Sequence, residues 1–370
     1  MRTVLYFAVV IAACGSPMNN QTHDGGDGGS DGGGSDGSGS NPMGSGSSTP
    51  PGAISIIVEP NGNKGQEVVD AINAAQTSVY MTMYELNDAD VLTALVNRRK
   101  AGVDVEVLLD GSTTTRSNNS PSYSTLQSGS VPVKYTVPEG SGGPFALTHE
   151  KTFIVDGTTA WIMSMNLDTG PPQYNREYLA TDTSSADVTE ATAIFQSDYM
   201  HPTGTPITAS GDLVVSPSTA GGNSESDLAA LVGEATTTLD VEVEELGGTN
   251  DLVKAIAAAA KRGVTTHVVV ANDPPLDTAA DSSITSAGGK LVMTGPSSSD
   301  GTASNPYIHG KAILIDCSGT TCKKGFIGSE NDSTQSLLYN RELGVIFTDT
   351  AELAKVKTAI DTDFAAGTEQ

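Results

Sequence analysis

Two similar series of apolar segments follow each other along the chain. In each series, a β-branched strand precedes an amphipathic helix, a second strand, a second helix and a Val-rich strand. The first series is predicted at residues 54–60, 66–75, 78–84, 88–101 and 103–109. The second is predicted at residues 212–217, 226–235, 238–244, 250–262 and 264–271. Strand, helix and strand repeated in this order predict α/β layers on parallel or mixed sheets.

The ends of the predicted elements divide the chain. The second helix of each series stops at Gly102 or Gly263, where glycine commonly ends a helix. Each half closes with a further predicted helix, at residues 186–199 and 351–364. Turn residues at 204–211 mark the expected junction. We therefore predict one lobe at residues 53–207 and a second at 208–370.

Between these helices, each half contains a strand with the same polar pattern. His149 and Lys151 are followed by Asp156, and His309 and Lys311 are followed by Asp316. The spacing H-x-K-x4-D is the same in both copies, which lie 160 positions apart. Residues two apart in a strand point to the same face, so each histidine shares a face with its lysine. The chain has only five histidines, which makes a chance repetition improbable.

Further polar residues recur around each motif. Upstream, Glu85-Leu86 and Glu245-Leu246 follow equivalent strands. Downstream, both halves contain Ser-x-Asn and an identical Tyr-Asn-Arg-Glu, at an offset of 165 residues because the second half has five extra residues. The resulting pairs are Ser164 and Ser329, Asn166 and Asn331, Arg176 and Arg341, and Glu177 and Glu342.

Two histidines and two lysines suit the cleavage of a phosphodiester. One imidazole can attack phosphorus and form a phosphohistidine. The other can protonate the leaving oxygen and then activate water or an alcohol. Charge and hydrogen bonds for the phosphate oxygens would come from Lys151, Lys311, Asn166, Asn331, Ser164 and Ser329. This chemistry needs no metal ion and no cofactor, and no Cys/His cluster has the spacing of a zinc site.

Other repeated residues are expected to support the site. Four carboxylates are candidates to orient a histidine through its second ring nitrogen: Glu85, Glu245, Glu177 and Glu342. Asp156 and Asp316 close their strands, and we expect them to hold the turn or a lysine. For Arg176 and Arg341, a structural hydrogen-bonding corner is favoured over a direct role in the site.

The N-terminus has the pattern of an export signal. Arg2 is followed by a short apolar run that leads into Ala12-Ala13-Cys14, which resembles both a secretory signal and the bacterial lipobox, whose cysteine carries lipid. An ordinary signal cleaved nearby is the alternative. Residues 15–52 are mostly Gly, Ser and Asp and are expected to form a disordered tether. We therefore predict a bacterial cell-envelope lipoprotein, on the outer membrane or cell surface, with signal peptide 1–14.

Charge and cysteine content narrow the possibilities. The chain has 19 Lys and Arg against 44 Asp and Glu, a formal net charge of −25. Non-specific nucleic-acid binding needs a basic footprint, so nucleic acid is not an expected partner. Cys317 and Cys322 bracket a short loop, and in an exported protein we expect them to form a disulfide, with two free thiols as the alternative.

This combination of motifs resembles the phospholipase D superfamily, whose H-x-K-x4-D and Gly-Ser-x-Asn signature occurs twice in bilobal members. The resemblance covers residues 54–366. It implies two similar α/β/α lobes with mixed β-sheets, related by a pseudo-twofold axis and sharing one cleft. By this analogy, His149 is the nucleophile and His309 the general acid. One position departs from the signature: Gly328 is kept, but Met163 replaces the first glycine and is expected to narrow the cleft or shift Ser164.

The leading functional hypothesis is a phosphodiesterase that hydrolyses phospholipid head groups, with transphosphatidylation as a second reaction. An exported metal-independent endonuclease and a non-catalytic phospholipid-binding protein are the alternatives. The expected partners are phospholipid and, through lipidated Cys14, a membrane surface; the protein is expected to be a monomer. An apolar cleft rim is expected from Phe145, Leu147, Tyr307 and Ile308.

Overall fold

The computed structural model describes residues 52–204, 206–209, 211–272, 277–296 and 301–370. The predicted signal peptide, Cys14 and nearly all of the predicted tether lie outside these residues. The first half contains β1 (Ile54–Glu59), α1 (Gln66–Ala74), β2 (Ser78–Met83), α2 (Ala89–Lys100), β3 (Asp104–Leu109), α3 (Arg116–Ser128), β4 (Val133–Tyr135), β5 (Lys151–Val155), β6 (Thr159–Met163), α4 (Pro171–Tyr174), β7 (Asn175–Asp182) and α5 (Ser185–Met200).

The second half repeats this order with small additions. Its elements are β8 (Leu213–Ser216), α6 (Ser224–Gly233), β9 (Thr238–Val243), β10 (Leu246–Gly247), α7 (Asp251–Lys261), β11 (Thr265–Ala271), α8 (Thr278–Ser286), β12 (Lys290–Thr294), β13 (Tyr307–Ile308), β14 (Ala312–Ile315), β15 (Lys324–Gly328), β16 (Asp332–Ser333), α9 (Thr334–Leu338), β17 (Glu342–Phe347), α10 (Thr350–Ala366) and β18 (Thr368–Glu369).

Local sequence explains where the paired helices start and stop. The Asp88 carboxylate accepts hydrogen bonds from two backbone amides of the first turn of α2, and the Asn250 side chain accepts one from the first turn of α7. Such caps satisfy amides that have no partner inside the helix. After the helices, Gly102 and Gly263 have φ of 94° and 89°. Both predicted helix ends are confirmed.

Each half is built on a large mixed sheet. The first has the strand order β1-β7-β6-β5-β2-β3-β4, and the second has the order β18-β12-β11-β9-β14-β15-β17-β8. In the first sheet, β2 is parallel to β3 and antiparallel to the motif strand β5. In the second sheet, β9 is parallel to β11 and antiparallel to the motif strand β14. The predicted mixed sheets are confirmed.

The apolar residues form three clusters that define the layers. One cluster joins α1, α2 and α3 to the outer face of the first sheet, and an equivalent cluster joins α6, α7 and α8 to the second sheet. The third cluster contains α5 and α10 together with residues of both sheets. The two halves therefore share a central helical layer, and this shared core fixes one half against the other. Within the described ranges, no helix combines the length and apolar character required to cross a bilayer.

The backbone just before each histidine pairs with the opposite half. β13 runs parallel to β7, with Ile308 opposite Arg176, and Thr148 forms the equivalent bridge with Arg341. The amide of His149 then donates to the Arg341 carbonyl at 2.8 Å. The amide of His309 donates to the Arg176 carbonyl at 3.2 Å. Each histidine is thus positioned by the half that does not contain it.

The two repeated arginines also cross between the halves. Arg341 binds both carboxylate oxygens of Asp198, at 2.7 and 3.1 Å, and donates to the Ser216 carbonyl. Arg176 binds Asp363 in the same way, at 2.6 and 3.2 Å. Arg341 is fully buried, so this pair is removed from solvent competition. Both arginines therefore have a structural role.

Asp156 and Asp316 stabilise turns at the far end of the motif strands. Asp156 accepts hydrogen bonds from the backbone amides of residues 76–78, and Asp316 accepts from those of Thr236 and Thr237. A five-residue strand spans roughly 16 Å, so these carboxylates lie well away from the histidines. In the turn that follows Asp316, Cys317 and Cys322 form the predicted disulfide.

Candidate active site

The Nδ1 atom of each histidine faces a buried glutamate from the opposite half. His149 Nδ1 lies 2.8 Å from Glu342 Oε2, and His309 Nδ1 lies 2.8 Å from Glu177 Oε1. A carboxylate oxygen can only accept a hydrogen bond, so Nδ1 carries the hydrogen in both rings. In a neutral ring this arrangement leaves the Nε2 lone pair available for reaction.

Neighbouring polar groups hold these glutamates in place. Glu177 accepts hydrogen bonds from the Ser164 hydroxyl at 2.5 Å and from Asn175 at 3.0 Å. Glu342 accepts from Ser336 at 2.8 Å and Asn340 at 3.3 Å. The asparagine of each Tyr-Asn-Arg-Glu segment therefore binds the glutamate two residues further on. This explains why the whole segment is repeated.

Burial and charge set the protonation of the pairs. Burial alone would raise the pKa of both glutamates, but the adjacent histidines outweigh it and the pKa of Glu177 and of Glu342 lies below the usual value. Burial lowers the pKa of His149, and Lys151 and Lys311 lower it further, while Glu342 opposes the shift. His149 is therefore a neutral imidazole near neutral pH.

The two lysines are held by the backbone of their own motifs. Lys151 Nζ donates to the His149 carbonyl, and Lys311 Nζ donates to the His309 carbonyl, both at 2.5 Å. Lys151 Nζ also lies 4.8 Å from the centre of the Tyr84 ring. Burial lowers the pKa of Lys151 to about 8. Its positive charge is therefore partly lost in mildly alkaline solution.

Glu244 is a site residue that the sequence did not reveal. Its Oε2 lies 2.9 Å from Lys311 Nζ and 3.4 Å from both His309 Nε2 and Asn331 Nδ2. Its Oε1 accepts a hydrogen bond from the Tyr307 hydroxyl at 2.9 Å. The Glu244 carboxylate therefore contacts the lysine, asparagine and histidine nitrogens of the second half. The signal in the sequence is that the equivalent residue of the first half is a tyrosine.

That tyrosine, Tyr84, makes the two sides of the site different. Its ring meets the His149 ring edge-on, with the centroids 4.7 Å apart. His149 therefore faces an aromatic ring where His309 faces the Glu244 carboxylate. The main-chain arrangement is duplicated, but the electrostatic environment of the histidines is not.

Glu85 and Glu245 do not take the positions predicted for them. Glu85 accepts a hydrogen bond from Asn118 at 3.0 Å. Burial raises the pKa of Asp168 to about 7, and the charge of Glu85 adds to that shift. The Glu245 side chain is exposed. Both histidines instead use Glu177 and Glu342, so only those two of the four candidate glutamates face an imidazole Nδ1.

The asparagines and serines have different surroundings. Asn331 Oδ1 accepts a hydrogen bond from the Glu245 backbone amide at 3.2 Å. This contact directs Asn331 Nδ2 towards Glu244. Asn166 Oδ1 is buried and accepts no hydrogen bond from the described part of the chain. Ser164 and Ser329 are fully buried. Each serine affects a glutamate of the site. The Ser164 hydroxyl lowers the pKa of Glu177, and the Ser329 hydroxyl lowers the pKa of Glu342.

The expected apolar rim is not exposed: Leu147 is half-buried, and Phe145, Tyr307 and Ile308 are buried. The Phe145 ring lies 4.2 Å from the Arg341 guanidinium carbon. These residues are buried because the segments just before the two histidines pair with the backbone of the opposite half. The exposed aromatic residues near the motif segments are Tyr174 and Tyr339, with exposed fractions of 43% and 42%.

Met163 does not narrow the cleft. Its side chain is fully buried in the outer core of the first half. In the second half, a Cβ atom on Gly328 would lie 2.3 Å from Glu330 Oε2 and 2.6 Å from the Gly344 Cα. Glycine is therefore required at 328 by the buried Glu330 side chain. The first half has Met165 at the position of Glu330, and this requirement is absent.

Comparison with known proteins identifies the family. The family model described as "Cardiolipin synthase, PLD-like domain" matches residues 68–199 and 228–365. These matches cover most of the chain and include both motifs. The chain belongs to the phospholipase D superfamily. Among the described residues, no group of three or more His, Cys, Asp or Glu side chains is arranged to hold a metal ion.

Curated relatives of the superfamily match part of the chain. A "Phospholipase D" of Rickettsia prowazekii (strain Madrid E) is 32% identical over 114 residues, which are 30% of this chain and 50% of that protein. The "Phospholipase D" of Rickettsia typhi (strain ATCC VR-144 / Wilmington) is 31% identical over 114 residues, with the same coverage. The chain spans about half the length of these relatives.

Solved structures share the fold at low sequence identity. The phosphatidylserine synthase of Haemophilus influenzae Rd KW20 has a TM-score of 0.64 and 13% identity, covering 86% of this chain and 87% of that one. The polyphosphate kinase of Porphyromonas gingivalis has a TM-score of 0.62 and 12% identity, covering 83% of this chain and 46% of that one. Proteins with different names thus share this phospholipase D architecture, and the fold alone does not select a substrate.

Proposed function

We propose that this protein is a phosphodiesterase of the phospholipase D type that hydrolyses phospholipid head groups through a phosphohistidine. The observation that carries the proposal is the reciprocal pairing of His149 with Glu342 and of His309 with Glu177. Each pairing directs an Nε2 atom into a site that also contains two lysines. A protein that only binds phosphate has no need of two imidazoles oriented in this way.

In the proposed first step, His149 Nε2 attacks phosphorus and the bond to the head-group oxygen breaks. His149 suits this role because its pKa is lowered by burial and its Nδ1 hydrogen is held by Glu342. His309 donates a proton to the departing alkoxide. Its Nε2 faces the Glu244 carboxylate at 3.4 Å, and an oxygen that only accepts favours a hydrogen on that nitrogen.

In the second step, the neutral His309 removes a proton from water, and the water oxygen attacks the phosphohistidine. The nitrogen–phosphorus bond breaks, which restores His149 and releases a phosphomonoester. An alcohol in place of water would give transphosphatidylation. Lys151, which contacts no carboxylate in the described part of the chain, would stabilise charge on the non-bridging oxygens in both steps.

A phospholipid is favoured over nucleic acid as the substrate. The matching family model and the Rickettsia relatives have lipid-related descriptions, and the chain has 44 acidic residues against 19 basic ones. A long polyanion requires several phosphate contacts from basic residues, whereas a lipid offers one phosphodiester. We also propose that the protein is exported and anchored to a bacterial envelope membrane by lipidated Cys14.

The test is an activity panel with the full-length protein. Turnover is measured on phosphatidylcholine or phosphatidylethanolamine vesicles and on single-stranded DNA, at equal enzyme concentration and physiological salt, with and without EDTA. The proposal requires release of head groups from lipid that survives the chelator. Faster cleavage of DNA would favour the nuclease alternative, and binding to vesicles without turnover of either substrate would favour a lipid-binding protein.

A further inference from the structure

The charges in the site are unevenly distributed between the two halves. Lys311 forms an ion pair with Glu244, with 2.9 Å between Nζ and Oε2. Among the described residues, Lys151 has no carboxylate within salt-bridge distance and donates only to the His149 carbonyl. The equivalent of Glu244 on its side is the uncharged Tyr84. Lys311 is therefore paired directly with a carboxylate. Lys151 is influenced by the charge of Glu342 without contacting it, and it is the lysine that stays open to the substrate.

The carboxylate that pairs with Lys311 is held by several hydrogen-bond donors and stays partly exposed. Tyr307 donates to Oε1, while Lys311, Asn331 and His309 surround Oε2. The Glu244 side chain keeps 18% of its surface exposed. Burial alone would raise the pKa of Glu244, but His309 and Lys311 lower it well below the usual range. A negative charge therefore stays beside the phosphate position at every pH at which the protein would work.

We propose that Glu244 determines specificity by matching the cleft to a phosphate group with a single negative charge. This inference rests on the proposed phosphodiesterase function and names the charge state of its substrate. A phosphodiester is a monoanion, and one unpaired lysine can balance it. A phosphomonoester approaches a second negative charge near neutral pH, and this extra charge is repelled by the Glu244 carboxylate.

The same charge would speed the release of product. Hydrolysis of a phosphodiester yields a phosphomonoester, which gains negative charge as it loses its second proton. Glu244 would therefore disfavour the product more than the substrate at the same position. The carboxylate would also disfavour terminal phosphates and polyphosphates, whose charge density exceeds that of an isolated diester.

The test is a binding measurement that needs no turnover. Dissociation constants of inorganic phosphate and of dimethyl phosphate are measured by calorimetry with the full-length wild-type protein and with Glu244→Gln. Dimethyl phosphate stays a monoanion at all working pH values, whereas inorganic phosphate is mostly a dianion at about pH 8 and a monoanion at about pH 5.5. The protonation of the histidines also changes with pH. Its effect on binding cancels in the ratio of the two dissociation constants where it is equal for both ligands.

An opposite charge within about 4–6 Å typically shifts an ionisation by about one to three pKa units, or about tenfold to a thousandfold, and a like charge of similar strength would shift it in the other direction. At about pH 8, Glu244→Gln should therefore improve phosphate affinity relative to dimethyl phosphate by at least about tenfold. At about pH 5.5 both ligands are monoanions, so Glu244→Gln should change the ratio of their dissociation constants little. Glu245→Gln is the matched control, because it removes the same charge from an adjacent but exposed side chain, and its ratio should stay close to that of the wild type.

An unchanged ratio in Glu244→Gln, or an equal change in Glu245→Gln, would overturn the role of Glu244 while leaving the phosphate site in place. If neither ligand binds to the wild-type protein at millimolar concentrations, the proposed phosphate cleft fails, and the specificity inference fails with it. If Glu244→Gln does not fold, Glu244→Tyr provides the second variant. It removes the charge and inserts the residue that the first half has at this position.

Discussion

Glu342 accepts a hydrogen bond from His149 across 193 positions of the chain, at 2.8 Å from Nδ1. The carboxylate is fully buried and helps to hold the ring in one tautomer. We expect Glu342→Gln to lower kcat by about 10- to 100-fold, by analogy with the loss of a carboxylate that orients a metal-bound histidine.

The same variant should change the pH dependence. Glu342 raises the pKa of His149 against the larger effect of burial, so its removal lowers that pKa further. His149 must be neutral to attack phosphorus, and the acidic limb of kcat/KM should therefore move to lower pH. Glu139→Gln, which removes an exposed carboxylate, is the control. An unchanged limb would show that His149 does not control it.

The two histidines should respond differently to the leaving group. With a phospholipid substrate, His149→Ala and His309→Ala should each lose at least about 10²–10⁴-fold in turnover, the scale of acid–base contributions. A p-nitrophenyl phosphodiester has a leaving group that needs no protonation. His309→Ala should recover the first step on that substrate, measured as a burst of p-nitrophenol release, and His149→Ala should show no burst. Recovery by His149→Ala instead would reverse the assignment of nucleophile and acid.

Lys151 should set an alkaline limit on activity. Its pKa is lowered to about 8, first by burial, so its charge is present below that pH and lost above it. We expect kcat/KM to fall as pH rises through about 8. Lys151→Arg keeps the charge at higher pH because a guanidinium does not titrate in this range. The remaining activity of this variant should extend to higher pH than that of the wild type. An alkaline limb at the wild-type position would show that the charge of Lys151 does not set the limit.

Removing one partner of the buried Arg341–Asp198 pair should destabilise the protein. Arg341→Met leaves Asp198 buried without its partner, which typically costs about 3–5 kcal/mol of unfolding free energy. The double variant Arg341→Met/Asp198→Leu should recover most of this loss, because no unpaired charge remains. Urea unfolding measures both. Arg176→Met is the matched comparison and should cost less, since its side chain is 12% exposed against 1% for Arg341. Equal losses in the single and double variants would argue against an uncompensated charge.

The proposed anchor can be tested separately from the site. Cys14→Ser should release the protein from membranes, because the variant lacks the thiol that would carry lipid. Its specific activity on a soluble phosphodiester should stay at the wild-type value. Fractionation without detergent checks the first expectation. Continued membrane association of the variant would contradict the lipobox interpretation.

The order of elements could be predicted because each half repeats the same local patterns. Strands such as β2 and β3 are short apolar runs, and their predicted bounds of 78–84 and 103–109 agree with the structure to within one residue. Helix α3 was missed for an equally local reason. It is rich in Ser and Asn and contains Pro121, so its sequence has few of the features of a helix. Its burial against the first sheet, through residues such as Leu126, depends on tertiary packing.

The partners of the site residues were harder to predict. Glu244 and Glu245 are adjacent, and successive residues of an extended chain point to opposite sides. Only the position of β9 in its sheet decides which one faces the cleft. The sequence also proposed Glu177 and Glu342 as partners of the histidines, but it could not show that each serves the opposite half. That information lies in the pairing of β13 with β7 and of Thr148 with Arg341.

The exchange of contacts between the halves has a consequence for how such a site can diversify. In a symmetric pair of identical subunits, every substitution appears twice, and a carboxylate beside one histidine would also appear beside the other. Covalent linkage of the halves removes this restriction. One copy can keep Tyr84 while the other acquires Glu244, although both copies still depend on each other for their histidine partners. A single polypeptide can therefore divide two chemically distinct tasks between duplicated residues.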